Sequence, residues 1–409
     1  MVKSSTDTLL TTDPRSRVRT MCARLRAIWT LPLTISASTP YPLLVIALIV
    51  SLLLNLGMGA VSVAPDQVIT ILGTHLRAIV TDLPGWGVVV DLPGTGMARS
   101  LARAFAGTDL YAWITADATR QQDAVVWTIR LPRLLMGCIA GAGLAVSGAA
   151  LQGIFRNPLA DPGLIGVSSG AALGAVVATV LSIGIWGIWT LPIFAFVGAI
   201  SVTATVYLIA RHEGKTEVVT LLLAGVALNA VIGAGVGLLI TYANDQQIRS
   251  ITFWTMGSLG GTLWEQVGIV FVVTTIGLAI IGRFAMPLNL LVLGEREARH
   301  LGVRVERTRG LIMFTTAAMT GASVAFTGSI GFVGLVVPHL VRLWLGPDHR
   351  RLLPCSALLG ATLMLLADLV SRTVVAPLEL PIGVVTSFIG GPFFIWLLLK
   401  TRRQQGGWA

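Results

Sequence analysis

Residues 126–175 read VWTIRLPRLLMGCIAGAGLAVSGAALQGIFRNPLADPGLIGVSSGAALGA. Arg130 and Arg133 bracket a proline, and an uncharged apolar run follows from Leu134 to Phe155. At 1.5 Å per residue, roughly 20 such residues cross the ~30 Å hydrocarbon layer of a bilayer. The run is crowded with small side chains (Gly141, Ala142, Gly143, Ser147, Gly148, Ala149, Ala150). Small residues let helix backbones approach closely where lipid supplies no hydrophobic drive. Arg156-Asn157-Pro158-Leu159-Ala160-Asp161-Pro162-Gly163 then breaks the helix before a second apolar run. Two readings stay open for that break. It is an ordinary polar turn, or irregular backbone buried in protein at a cavity, since lipid-exposed backbone of that kind is forbidden.

The whole chain agrees with a membrane assignment. Of 409 residues, 54% are hydrophobic and only 12% are charged. A soluble domain carries about 25% charged residues, so this composition excludes a water-coated globule, and its hydrophobicity excludes disorder. The apolar residues suffice for about ten crossings. The expected spans are 41–63, 132–152, 163–183, 190–210, 217–241, 264–284, 310–328, 331–345, 353–373 and 382–399. A basic tail, 1–40, precedes a ten-span domain, 41–403, and a short tail, 404–409, closes the chain. The first apolar run begins near Tyr41 and is itself long enough to span, so no cleavable signal peptide is expected.

Net charge is +10, which reflects the positive-inside bias of membrane proteins rather than nucleic-acid binding. With the N-terminus inside, only Arg77, Arg99, Arg103, Arg120, Arg130, Arg133, Arg249 and Arg372 fall outside; the other 21 of 29 basic residues lie inside. Both termini are therefore expected on the cytoplasmic side. The polar segment 64–130 lies outside, and the charged loop 285–309 inside.

That loop, AMPLNLLVLGEREARHLGVRVERTR, holds Glu295 and Arg299 at i,i+4 spacing on a short helix. Leu291, Leu293, Ala298 and Leu301 give it an apolar side that fits a partner's groove. Gly214-Lys215-Thr216 ends like a phosphate-binding loop, but Ile209 stands where that motif needs glycine. No HExxH pattern occurs. The three cysteines fit no metal site. Asp368 and Glu379 flank the outer end of the ninth span, and Asp368 is four residues from Arg372, the spacing of a helical pair. No chain of carboxylates crosses the bilayer, which disfavours a proton-driven secondary transporter. The lack of a catalytic constellation disfavours a membrane enzyme or receptor.

GFVGLVVPHLVRLWLGPDHRRLLP (331–354) and LADLVSRTVVAPLELPIGVVTSFIGGPFFIWLLLK (366–400) complete a pattern with residues 126–175. Together they resemble the membrane permease of bacterial ABC importers for iron chelates, haem and cobalamin. The resemblance covers roughly 125–403 and the first span. It implies an all-α bundle of ten spans in the bacterial inner membrane, assembled as a homodimer. It implies a cytoplasmic ATPase dimer that binds ATP and Mg, an extracytoplasmic substrate-binding protein, and no cofactor or metal held by this chain. Arg130, Arg133 and Arg372 match arginines that meet carboxylates of the binding protein. Gly294, Glu295, Ala298, Arg299, Leu301 and Gly302 match the element that grips the ATPase. Asn157 and Leu159 match the cytoplasmic gate, which Lys215 and Thr216 would join. RSITFWTMGSLGG (249–261) and GEREARHLGV (294–303) resemble the haem branch most, with ferric siderophore and cobalamin as alternatives. The stretch 83–123 is longer than the family pattern and reads as an insertion.

Overall fold

The computed structural model describes residues 40–58, 63, 67–68, 71–72, 75 and 120–404, with 120, 397, 398 and 400–404 as backbone only. The basic tail and most of the proposed insertion 83–123 lie outside the described residues.

The fold is a helical bundle. Its elements are α1 (Pro40–Gly57), α2 (Leu131–Phe155), α3 (Val167–Val180), α4 (Thr190–Ile209), α5 (Val218–Ile240) and α6 (Asp245–Met256). They continue as α7 (Trp264–Arg283), α8 (Ala285–Leu293), α9 (Glu295–His300), α10 (Val305–Thr327), α11 (Val333–Leu345), α12 (His349–Thr373) and α13 (Ile382–Gln404). Each of the ten expected spans coincides with a helix. Seven are long and apolar enough to cross a bilayer. The other three, Val167–Val180, Val333–Leu345 and Ile382–Trp396, are shorter. At 1.5 Å per residue α3 and α11 reach only about 20 Å, so irregular backbone completes those crossings.

α2 is the axis of the bundle. Helical turns begin upstream at Arg120, and a π-helical turn, Val125–Arg130, leads into it. Pro132 offers no N–H to the preceding turn and its ring crowds the carbonyl four residues back, so the wider turn accommodates it. α2 packs on α7, α10, α11 and α12. Its small residues decide how closely. A Cβ on Gly141 would stand 2.4 Å from the Gly360 carbonyl oxygen of α12. One on Gly148 would stand 1.8 Å from the Gly334 oxygen of α11. Gly148→Ala is therefore expected to cost about 1–3 kcal/mol through forced separation of α2 and α11. A wild-type unfolding midpoint in detergent would contradict that packing. α3, α4 and α10 form a second packed group, flanked by α5.

The break at 156–165 folds back into the protein. Arg156 caps α2 in the left-handed region (φ 50°). Ala160, Pro162 and Ile165 are buried, and Pro162–Ile165 is a 3-10 turn capped by the Asp161 carboxylate on Gly163 N–H at 2.8 Å. Each of the two readings holds for part of this segment: 156–159 is a turn with Arg156 and Pro158 exposed, and 160–165 is irregular backbone packed into the protein.

Two expectations are corrected. Residues 242–263 are not a plain loop: α6 begins there at an Asn244/Gln247 capping box. Its mixed polar and apolar composition hid it from a reading based on span hydropathy. The segment 285–309 likewise starts with a buried-face helix, α8, before the expected exposed helix α9. The Gly214-Lys215-Thr216 segment lies in a two-stranded hairpin, β1 (Arg211–His212) and β2 (Lys215–Thr216), paired Arg211↔Thr216 and His212↔Lys215. Glu213 and Gly214 both have positive φ, which suits the tight hairpin turn.

Candidate functional site

Three features lie along the bundle: a charge cluster at the expected outer end, a cavity, and a polar cluster at the opposite end. The outer cluster joins the starts and ends of four segments. Arg133, at the mouth of α2, donates from Nε to Asp368 Oδ1 at 2.8 Å, and from Nη1 to Glu379 Oε1 and Oε2 at 3.0 and 2.9 Å. Arg372 donates from Nε to Asp368 Oδ2 at 3.1 Å and from Nη2 to Asn55 Oδ1 at 2.6 Å. Arg130 Nη1 donates to the Leu56 carbonyl of α1. Asp368 thus lies between two guanidiniums with a 3% exposed side chain. Buried charges survive only when paired and fully hydrogen-bonded, and this arrangement meets that demand.

The cluster brings Arg130, Arg133 and Arg372 together and gives them partners within this chain. Arg130 and Arg133 are 6% and 7% exposed and turn inward. The helical pair of Asp368 with Arg372 forms as its spacing suggested. Asn55 was missed; an asparagine inside an apolar first span was the available signal. Nearby, His75 Nε2 lies 2.9 Å from Asp123 Oδ1 and stacks on Trp127 at 4.1 Å.

The cavity, about 610 Å³, is lined by Thr255 and Met256 of α6, Ser329 and Gly331 before α11, and Gly383, Val384, Ser387, Phe388 and Pro392 of α13. None of these side chains is charged. Phe332, next to its wall, holds a left-handed φ of 68°, which is costly for a bulky residue. Sequence reading identified none of these residues as cavity-lining, because they converge from three separate segments. Among the described residues, no group of three or more His, Cys, Asp or Glu is placed to hold a metal.

At the opposite end Arg309, with a 1% exposed side chain, is the hub. Its Nη2 donates to Glu295 Oε1 at 2.6 Å and its Nη1 to the Thr216 carbonyl at 2.7 Å. Thr216 N–H in turn donates to Glu306 Oε2 at 3.0 Å. Arg299 pairs with Glu295 at 3.3 Å, as the i,i+4 spacing suggested. The structure therefore ties Glu295 and Arg299 of α9 to the hairpin residue Thr216, through an arginine that sequence reading had left unassigned. Lys215 is exposed. Asn157 and Leu159 bond within their own turn, Leu159 N–H to Asn157 Oδ1 at 3.0 Å.

Gly294 (φ 130°) and Gly302 (φ 87°) bracket α9 in backbone that other residues adopt only with strain. The apolar side expected for this loop is divided: Leu291 and Ala298 are buried, whereas Leu293 and Leu301 are 64% and 60% exposed. Partial burial opposes ionisation of Glu295, but the Arg309 hydrogen bond and charge, then Arg299 and Arg156, outweigh it and hold its carboxyl below the usual range. The anchoring of α9 is then complete above the ordinary carboxylate pKa and lost as pH falls through the depressed one. Hydrogen exchange in α9 should accelerate on acidification through that window, and Glu295→Gln should remove the dependence. An exchange rate in α9 that stays constant through the same window would contradict it.

The FecCD transport family model matches residues 96–400. The hemin transport system permease protein HmuU of Yersinia pestis is 45% identical over 296 residues, covering 71% of this chain and 88% of that protein. The cobalamin import system permease protein BtuC of Halobacterium salinarum is 47% identical over 277 residues, covering 68% and 73%. A metal-chelate type ABC transporter solved in an inward-facing conformation superposes with a TM-score of 0.70 at 32% identity, covering 87% of this chain and 97% of that one. PsaBC from Streptococcus pneumoniae shares the fold with a TM-score of 0.50 at 17% identity, over 67% and 92%.

Proposed function

This chain belongs to the FecCD transport family, and from that premise we propose that it moves haem across the bacterial inner membrane. It is the multi-pass permease subunit of an ABC importer for haem, vitamin B12 or an iron chelate, a transport component and not itself an ATPase. The finer choice of haem rests on one observation above all. The cavity between α6 and α13 is uncharged, and its Thr255 and Met256 come from the stretch 249–261 that resembles the haem branch. A largely apolar macrocycle enters such a space at less desolvation cost than a polyanionic chelate. The identities to the Yersinia pestis hemin permease, 45%, and to the Halobacterium salinarum cobalamin permease, 47%, do not separate the two.

The remaining parts follow the same reading. The protein works as a homodimer, and Phe388, 81% exposed at the cavity rim, is an apolar surface that a second copy would cover. A cytoplasmic ATPase dimer, holding ATP and Mg, grips α9 and the exposed Leu293 and Leu301. Because Arg309 joins α9 to the 211–216 hairpin, a push on α9 moves both. The gate includes Asn157 and Leu159, with Lys215 and Thr216 beside it. An extracytoplasmic binding protein docks at the outer cluster of Arg130, Arg133 and Arg372. Nucleotide states of the ATPase bind the inward- and outward-open forms unequally, and that difference drives the cycle. Both termini are cytoplasmic, as the charge asymmetry requires.

The test is ATP hydrolysis and uptake by the reconstituted complex with haem, cobalamin or a ferric siderophore presented in turn. Stimulation and uptake with haem alone is expected. A response confined to cobalamin or siderophore would overturn the choice of haem.

A further inference from the structure

We propose that Glu379 is an internal stand-in for the binding protein's carboxylate, and that docking proceeds by exchange of one carboxylate for the other on Arg133. The inference rests on the reading that an acidic partner surface docks at the outer arginines. Four observations carry it.

First, the two carboxylates of the cluster differ in kind. Asp368 is held between Arg133 and Arg372 with 3% of its side chain exposed, whereas the Glu379 side chain is 50% exposed. Glu379 places both oxygens on the single nitrogen Nη1 of Arg133, whose own side chain is 8% exposed. Glu379 is therefore the removable cover over an otherwise buried cation.

Second, the approach to Nη1 is open on the glycine side. Gly260 is exposed and carries no side chain, and a Cβ built there would stand 3.7 Å from a Glu379 oxygen and 3.9 Å from Arg133 Nη1. Any larger residue would crowd the Arg133–Glu379 contact, and glycine leaves it clear.

Third, charge favours exchange over addition. Three arginines face two carboxylates in the cluster. Swapping one carboxylate for another leaves that balance unchanged, and Asp368 keeps Arg133 paired throughout, so the buried cation never meets the most costly, unpaired state.

Fourth, the displaced segment leads to the cavity. Glu379 lies in the connection between α12 and α13, three residues before Ile382. Leu380 N–H donates to Ser371 O, and Ile382 N–H to Gly257 O, both at 3.0 Å. Gly383, Val384, Ser387 and Phe388 of α13 line the cavity. Releasing Glu379 loosens the entry to α13 and reports docking to the transport space.

The experiment measures docking of the importer's own binding protein to the permease–ATPase complex in lipid discs, as a function of salt. Glu379→Gln keeps the shape and removes the competing charge. It is expected to tighten docking about five-fold, the ~1 kcal/mol of a partly exposed ion pair at 1.4 kcal/mol per factor of ten. It should also steepen the salt dependence, because docking then creates a new ion pair instead of exchanging one. Glu379→Asp, which keeps the charge on a shorter stem, should fall between. Recovery of the intact complex with its ATPase shows that each variant folds. Unchanged or weaker docking by Glu379→Gln, with Arg133→Gln impaired, overturns the exchange alone. Wild-type docking by Arg133→Gln overturns the docking reading beneath it.

Discussion

Asp368→Ala should destabilise the protein by about 3 kcal/mol, the lower end of the range for removing one partner of a buried ion pair. The side chain is 3% exposed and accepts from both Arg133 and Arg372. Its loss leaves two guanidiniums facing each other in a site with little water. Glu379 still holds Arg133 Nη1 and Asn55 Oδ1 still accepts from Arg372, which keeps the cost from rising further. Replacing Arg133, Asp368 and Arg372 together with apolar residues of similar volume should recover most of that stability, because Glu379 is half-exposed and regains water while Arg130 keeps the Leu56 carbonyl. Denaturant unfolding in mixed micelles compares the two variants. A single variant as stable as wild type would show that Asp368 does not hold the cluster.

Arg309→Ala should cost a similar amount, about 3 kcal/mol, and should also disconnect α9 from the hairpin. The truncation removes a side chain that is 1% exposed, orphans the Thr216 carbonyl and leaves Glu295 and Glu306 without the cation between them. Those two carboxylates are 31% and 28% exposed and regain water, which limits the loss. Arg309→Lys keeps the charge but cannot reach Glu295 and Thr216 with one planar fork, so it should restore only part of the stability. The functional readout is the stimulation of ATP hydrolysis by the loaded binding protein. Stimulation should fall in Arg309→Ala even in preparations where the ATPase still co-purifies. Full stimulation by a destabilised Arg309→Ala would confine Arg309 to a structural role.

Most of the bundle was legible because hydropathy over about 20 residues is a strong signal. The spans at 190–210, 217–241 and 264–284 end within one residue of the helices Thr190–Ile209, Val218–Ile240 and Trp264–Arg283. α6 was missed because its twelve residues mix Gln, Arg and Ser with Ile, Phe and Trp, and no hydropathy window marks such a helix as a span. The short reach of α11 is set by a left-handed φ at both ends, Phe332 (φ 68°) and Gly346 (φ 83°), and only the glycine could be read from sequence.

In the sites, what was local in sequence was legible and what was distant was not. The Glu295–Arg299 and Asp368–Arg372 pairs are four residues apart and form as their spacing suggests. The stronger partners lie far off: Asp368 is 235 positions from Arg133, Asn55 is 317 from Arg372, and Thr216 is 93 from Arg309. Spacing alone therefore grouped Asp368 with Arg372 but could not show that Arg133 shares the same carboxylate. Only the fold shows which carboxylate neutralises Arg133.

This chain is a permease subunit whose ATPase activity lies in a separate chain. The direct test is uptake into proteoliposomes containing the chain with and without its ATPase, with the binding protein and ligand outside and ATP inside. Uptake that requires both the ATPase and ATP is the predicted result. Uptake by this chain alone, driven by an ion gradient, would make it a secondary transporter instead.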